Sequence, residues 1–250
     1  MMNPAEFANI AEAEKNLWWY RGMRRITSRV LEPWLRGRKV RRVLEAGCGT
    51  GYFSYLLQEE LGWHVYPVDL AAEGLSYGRR MGLDRMSQAN LAALPFQAGS
   101  FDVVTSMDVL PHFPPGEECQ PIRELARVLT PGGLLVLRVS ALDLLRSRHS
   151  QYVNERQRFT RPRLTRLIRD SGIRVLRCTY ANSLLLPVAL AKFRLWEPMT
   201  QKAPDSGVKP VPQWLDHLLH GCLKAESAWL GRGFNLPVGQ SLVLVGEKVS

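Results

Sequence analysis

Val43-Leu44-Glu45-Ala46-Gly47-Cys48-Gly49-Thr50-Gly51 is the stretch on which the reading of this 250-residue chain turns. Val43 and Leu44 follow a basic pair and read as the end of a buried strand. An acid comes next, then three glycines at alternate positions, then Tyr52-Phe53-Ser54-Tyr55-Leu56-Leu57, which reads as the start of a helix. A strand that enters a helix through such a turn brings bare backbone close to a ligand, because glycine has no Cβ to obstruct it.

Downstream, the helix over about 51–61 closes at Gly62, and Trp63-His64-Val65-Tyr66-Pro67-Val68 forms a second strand ending on Asp69. Eighteen residues separate Asp69 from Gly51, the length of one helix and one strand. In this β-α-β arrangement an acid at the tip of the second strand takes the hydroxyls of a ribose. A helix over about 71–82, a short strand near Arg85–Ala89 and a strand over Ser100–Ser106 follow, and then a loop from Asp108 to Gly116. Helix 117–129 presents Ile122, Leu125 and Leu129 on one side; Thr130-Pro131-Gly132-Gly133 stops it before a fifth strand, Leu134–Val139. A polar, Arg-rich connection at 141–159 is placed to cover the ligand edge of the sheet, ahead of helix 161–171 and strand Ile173–Tyr180. The alternation predicts an open, mostly parallel α/β sheet. Residues 184–197 and 213–230 read as helices around a Pro/Gly/Lys linker, and Ser241–Val245, extending toward Lys248, is a final strand.

Upstream, residues 5–36 read as two helices. Met23, Ile26, Val30 and Trp34 make an apolar stripe at three- and four-residue spacing. Trp18-Trp19-Tyr20 lies between them, and three consecutive aromatics cannot all face one core. Either some of them cover a neighbouring surface or a ligand, or the group is a packing anchor.

At 46% hydrophobic and 22% charged residues the composition is that of a globular protein, long enough for a full core. No run approaches the roughly 18 apolar residues that span a bilayer. The first residues lack a basic start followed by an apolar stretch, so no secretory signal is expected and the expected location is the cytoplasm. Four widely spaced cysteines without a C-x-x-C pair suit reduced thiols better than disulfides or zinc. The net charge of +10 permits an anionic partner (nucleic acid, a phosphorylated molecule or an acidic membrane surface) or is a solvated basic surface.

Glu45 to Gly51 resembles the first motif of the class I S-adenosylmethionine-dependent methyltransferases. A nicotinamide-binding turn would more usually read G-x-G-x-x-G, with its third glycine one residue later. Asn90-Leu91-Ala92-Ala93-Leu94-Pro95-Phe96 is similar to the family's D-x-x-x-L-P-F segment, with Asn in place of Asp. Ser100-Phe101-Asp102-Val103-Val104, Asp108-Val109-Leu110-Pro111-His112 and Arg123 to Gly133 match its fourth strand, the following loop and the entry to its fifth strand. A narrower likeness, to bacterial methyltransferases, rests on Trp18-Trp19-Tyr20-Arg21-Gly22, Arg158-Phe159-Thr160-Arg161 and Tyr180-Ala181-Asn182-Ser183-Leu184.

The resemblance implies a Rossmann-like seven-stranded sheet, order 3-2-1-4-5-7-6, with the last strand antiparallel. It implies a core at 37–182, a helical cap at 1–36, a second helical cap at 183–240 and the last strand at 241–250. The expected cofactor is S-adenosylmethionine, leaving as S-adenosylhomocysteine. The turn Ala46, Gly47, Cys48, Gly49 and Gly51 would carry its amino-acid end, with Glu45 near the ammonium and Arg21 on the carboxylate. Asp69 would hold both ribose hydroxyls. Asn90 and the Leu91 amide would meet the adenine edge, with Leu70 and Met107 on its faces.

His112 is the candidate base for methyl transfer to oxygen or nitrogen, since an unperturbed imidazole suits neutral pH; a histidine that only shapes the loop is the alternative. Trp19, Tyr20, His149, Tyr152, Arg158, Tyr180 and Asn182 are candidate acceptor-pocket residues. His217 and His220 share a helical face but have no third ligand at convincing spacing, so no metal is expected. The expected acceptor is a small molecule. Aromatic residues of the cap (Phe193, Trp196, Trp214, Trp229, Phe234) suggest a partly hydrophobic one, or a homodimer interface. An RNA or other nucleic-acid methyltransferase using the basic surface is the competing reading. Against it, Ser106-Met107-Asp108-Val109 is no N-P-P-Y-type turn, and neither a P-C dipeptide nor an appended RNA-binding module is present. A protein that binds the cofactor without methyl transfer is the third.

Overall fold

A computed structural model describes residues 3–200 and 203–249. Helices α1 (Ala5–Ala13) and α2 (Trp18–Leu35) precede β1 (Arg42–Ala46), α3 (Tyr52–Leu61), β2 (His64–Asp69) and α4 (Ala72–Arg80). Then come β3 (Ser87–Gln88), β4 (Phe101–Met107), α5 (Cys119–Val128), β5 (Leu129–Ser140), the short α6 (Arg148–Tyr152), α7 (Arg161–Asp170) and β6 (Ile173–Ala181). Helix α8 (Leu186–Leu190) continues through a π-helical stretch, Ala191–Trp196, into α9 (Glu197–Met199); α10 (Gln213–Gly231) and β7 (Ser241–Lys248) complete the chain.

The seven strands form one sheet in the order β3-β2-β1-β4-β5-β7-β6. β1 pairs in parallel with β2 and β4, and β7 runs antiparallel between β5 and β6. Strands covered on both faces must be apolar along their length, and Val43, Leu44 and Ala46 of β1 are wholly buried. β7 shows why: alternate side chains point to opposite faces. Leu242 and Leu244 join the core beneath α5 and α7, while Val243 and Val245 join the core beneath α2 and α10.

Met23, Ile26 and Val30 of α2 lie on that second core with Leu223 and Leu230 of α10. The two helices meet at Gly22, where a Cβ would stand 2.2 Å from the Leu223 side chain. The N-terminal segment and the 183–240 insertion therefore have a double role. Parts of them face the ligand edge, but the stripe of α2 and the far half of α10 are the outer layer of the sheet itself, because Val43, Val65, Val103 and Val136 need that cover.

Several elements differ from the sequence expectation: Trp18-Trp19-Tyr20, expected between two helices, forms the first turn of α2, and the 141–159 connection contains α6. β3 shrinks to two residues. Thr130–Gly133 is a bulge inside a continuous strand rather than a stop before it: Phe101 pairs with Leu129 and Val103 with Leu134, so the intervening residues loop out, with Gly132 at φ 74°. Among the described residues no helix is long and apolar enough to cross a membrane, and no group of three or more His, Cys, Asp or Glu is placed to hold a metal ion.

Candidate functional site

The C-terminal ends of the parallel strands open into a cavity of about 1100 Å³, in the position where open α/β sheets bind ligands. Its floor is the glycine turn. Gly47, Gly49 and Gly51 all have positive φ (83°, 57° and 81°), a conformation that other residues reach only with strain. The Gly47 and Cys48 amides donate to the Val68 carbonyl at 2.8 and 2.9 Å, which ties the turn to β2. A Cβ on Gly47 would stand 2.2 Å from Val109, whereas at Gly49 nothing lies within 4 Å and the backbone is bare toward the cavity.

Three carboxyls converge beside this turn. Asp69 accepts from the Gly49 amide at 2.8 Å and, through its other oxygen, from the Ala71 amide at 2.9 Å. A carboxylate has about four lone-pair sites, so each oxygen can take one more donor. Burial raises Asp69 above the usual carboxylate range, opposed by those amides. Glu45, only 2% exposed, accepts from the Ser54 hydroxyl, and burial pushes it up to about 8. Glu14 arrives from the N-terminal segment, accepts from the Thr50 hydroxyl at 2.6 Å and is pushed by burial up to about 7. Arg24 of α2 donates to the Glu14 carbonyl at 2.5 Å and lies 5.1 Å from the centre of the Tyr52 ring.

Along the second strand's edge, Leu70, Leu91 and Met107 all line the cavity. Asn90 lines it too, but its side-chain oxygen accepts from the Ala92 amide at 2.9 Å and closes a local turn.

The opposite end is built by the aromatic pair and the two covering segments. Trp19 and Tyr20 meet edge to face at 5.0 Å. The Arg138 guanidinium lies 5.0 Å from the Trp19 ring and is paired with Asp108 at 2.7 Å. Tyr20 stands among Glu14, Glu6, Arg138 and Asp108; burial first, then the acids, raise its phenol, which stays protonated. His112 has Nδ1 3.4 Å from the Asn154 carbonyl, and burial lowers its pKa. Nδ1–H donating there leaves Nε2 as the basic nitrogen. His149 Nδ1 accepts from the Gly207 amide at 2.9 Å. Beside it the buried Glu6 accepts from Ser206 at 3.0 Å, fastening α1 to the 203–212 segment. Arg158 is paired with Glu155 at 2.5 Å and donates to Ser150. Asn182, at φ 58°, donates its backbone amide to Glu226, and its side-chain oxygen is buried with no partner among the described residues.

The structure thus brings Glu45, Gly47, Cys48, Gly49, Asp69, Leu70, Asn90, Leu91, Met107, His112, Trp19, Tyr20, His149, Arg158 and Asn182 to one cavity. Five of the expected residues lie outside its lining. Ala46 is buried in β1, and Gly51 starts α3, packed near Leu83 and Met86. Tyr152 is on α6 away from the wall. The Tyr180 hydroxyl accepts from the Arg161 amide at 3.3 Å, on the α7 side of β6. Arg21 pairs with Asp216 of α10 at 2.5 Å, so it joins two helices and Arg24, three residues on, is the arginine that faces the turn. Sequence reasoning missed Glu14, Arg24 and Arg138. Arg24 was one arginine among many on the polar face of α2, and Glu14 became visible only once α1 was folded back over the turn.

Residues 44–137, from β1 into β5, match the family model described as a methyltransferase domain. A ubiquinone biosynthesis O-methyltransferase of Xanthomonas oryzae pv. oryzae is 41% identical over 104 residues, covering 38% of this chain and 41% of its own. A malonyl-[acyl-carrier protein] O-methyltransferase of Enterobacter lignolyticus is 35% identical over 112 residues, covering 44% and 43%. The chain therefore spans about two fifths of the length of these curated relatives. The same fold extends over almost the whole chain in a Haloferax volcanii methyltransferase solved with the activator Trm112: TM-score 0.61, 18% identity, 98% of each chain covered.

Proposed function

We propose that this chain, whose residues 44–137 match a methyltransferase domain and whose sheet has the order 3-2-1-4-5-7-6, is a class I S-adenosylmethionine-dependent methyltransferase, that its cavity binds S-adenosylmethionine, and that it moves the methyl group to a small-molecule acceptor. The observation that carries this is the convergence of Glu14, Glu45 and Asp69 beside the bare backbone of Gly49. Burial raises all three, so each would be lowered again by a ligand bearing positive charge. The cofactor, with its ammonium and sulfonium groups, is such a ligand. The wall as a whole carries eight Asp and Glu against six Lys and Arg, in a chain of net charge +10. That acidity favours a cationic cofactor and disfavours an RNA backbone as the occupant.

In this reading the Gly47–Thr50 turn and Glu45 hold the amino-acid end, Arg24 takes the place expected for Arg21 on the carboxylate, and Asp69 holds the ribose. Leu70, Leu91 and Met107 enclose the adenine. The cofactor supplies a methyl carbon already activated by the sulfonium. What remains for the protein is alignment of the nucleophile, exclusion of water and acceptance of a proton. Neutral His112 is placed to accept it at Nε2. The unpartnered Asn182 oxygen supplies a hydrogen-bond acceptor for the incoming molecule, and Trp19 and Tyr20 give that molecule an aromatic wall. Oxygen or nitrogen is the proposed target atom, and the O-methyltransferase names of the curated relatives favour oxygen.

Calorimetric titration with S-adenosylmethionine tests the first half. Binding is expected, and Asp69→Ala should weaken it by roughly tenfold or more, since it removes charge-assisted bonds to two hydroxyls. No heat, or an unchanged affinity in the variant, overturns the reading. The second half is tested by a crystal structure with S-adenosylhomocysteine: a closed apolar chamber beside the sulfur supports a small acceptor, and an open basic groove refutes it.

A further inference from the structure

One surface of the cap has no part in this chemistry. From Leu186 to Met199 the chain is one continuous helical rod. Its inner side (Leu186, Ala189, Phe193) packs on Leu142 and Leu145. Its outer side exposes Leu195, Trp196 and Met199 by 66%, 68% and 81%, and Val188 and the preceding Leu184 by more than half. Large apolar side chains standing contiguously this far from the surface mark an interaction site, unlike singly scattered ones. Lys192 and Arg194 project from the same rod without an ion pair among the described residues. Lys192 lies 5.5 Å from the Phe193 ring and Arg194 donates to the Leu144 carbonyl. Of the acids nearby, Asp205 is paired with Lys209, and the Glu197 carboxylate accepts from the Arg148 backbone amide at 3.0 Å. The cavity opens here: Val188, Lys192 and Trp196 are both exposed and part of its wall.

We propose that this face docks on an anionic lipid surface and turns the mouth of the cavity toward it. Leu184, Leu195 and Met199 would enter the interfacial layer, with Trp196 at headgroup depth, the arrangement of a helix lying in the plane of a membrane. Lys192 and Arg194 meet the anionic headgroups. A second copy seated on this face would close the opening that Val188 and Trp196 frame. A lipid surface leaves that opening continuous with an apolar phase, from which a hydrophobic acceptor can enter directly. The proposal goes beyond the methyl-transfer reading without depending on it, since docking requires neither cofactor nor turnover.

The test is co-sedimentation of the full chain with phosphatidylglycerol/phosphatidylcholine vesicles and with phosphatidylcholine vesicles alone. Preferential binding to the anionic vesicles is expected, weakening steeply toward about 1 M salt, where charges are screened within ~3 Å. Leu195→Glu with Met199→Glu, both outside the cavity wall, should reduce vesicle binding by at least about tenfold with calorimetric cofactor affinity unchanged. Arg194→Glu alone should reduce it about fivefold or more. Failure to bind anionic vesicles, or equal binding by the double variant, overturns the proposal. So does a dimer in sedimentation velocity that the double variant dissociates, which would make a second copy the occupant. Vesicle binding with no cofactor heat would sink the methyl-transfer reading and leave this one standing; the converse would sink this one alone.

Discussion

Glu45 shows how a carboxyl buried in a cavity wall weighs on the stability of the protein. Its carboxyl has an ordinary value of 4.5 and is pushed up to about 8 in the fold, so the folded state holds the proton more tightly than the unfolded chain does. The stability this contributes is complete below about 4.5 and is lost as pH rises through about 8. Glu14, pushed up to about 7, acts in the same direction. The ligand-free protein should therefore show a melting temperature that declines between pH 5 and 8.5, and Glu45→Gln should flatten part of that decline. A cationic ligand reverses the preference: S-adenosylmethionine affinity should rise from pH 6 to pH 8, because the carboxyls it meets must ionise. Calorimetry across that range checks it, and Glu45→Gln should lose both affinity and slope. For His112 burial depresses the imidazole below its usual 6.5, so the rate should fall only below that value and be level through neutrality. His112→Asn should lower kcat by about 10²-fold or more if the ring accepts the proton. A variant with near-normal kcat and raised KM would make it a pocket wall.

At the scale of elements, the α2–α10 contact and the α1 latch do different work. Gly22 lets the two helices touch, and any side chain there would press on Leu223. Gly22→Val should destabilise the fold by about 1–3 kcal/mol in denaturant titration. Adding Leu223→Ala should recover part of that loss, as expected of a pair in direct contact. The latch adds polar bonds to the packing of the buried Phe7 beside Gly74. Glu14 meets Thr50 and Glu6 meets Ser206, each a bond between an acid and a hydroxyl beside the cavity. Thr50→Val removes one of these bonds and leaves the sheet intact. It should weaken cofactor binding severalfold with little change in melting temperature, because it loosens the segment that covers the turn rather than the core beneath it.

Taken as one molecule, the protein segregates its charge. It is +10 overall, yet its cavity wall has more acids than bases, so the cations lie on the outer surface while the ligand chamber suits positive charge. The arrangement follows from chain order: parts of α1, α2, the 203–212 segment and α10, from opposite ends of the sequence, border the ligand edge of the sheet, while the rest of α2 and α10 covers one of its faces. A consequence of this shared border is protection. S-adenosylhomocysteine should slow proteolysis within 3–17 and 203–212 together, since both segments border the same chamber.

The sequence by itself determined the sheet and the turn. The glycines of the turn, Asp69 at the tip of β2 and the existence of β7 are local properties, written in residue type and spacing, so they were legible before folding; the strand order was implied by the family resemblance that these motifs carry. The stretches that misled were ones where a neighbour's demand overrides the local signal. Thr130–Gly133 became a bulge because Leu129 already pairs with Phe101. Arg21 lies outside the cavity wall because Asp216, nearly two hundred residues away, pairs with it, and Arg24 lines the wall instead. Only the tertiary structure decided the walls of the cavity. Glu14, Arg138 and Asn182 come from segments far apart in the chain, and each acquires its meaning from burial and from partners that no spacing in the sequence encodes.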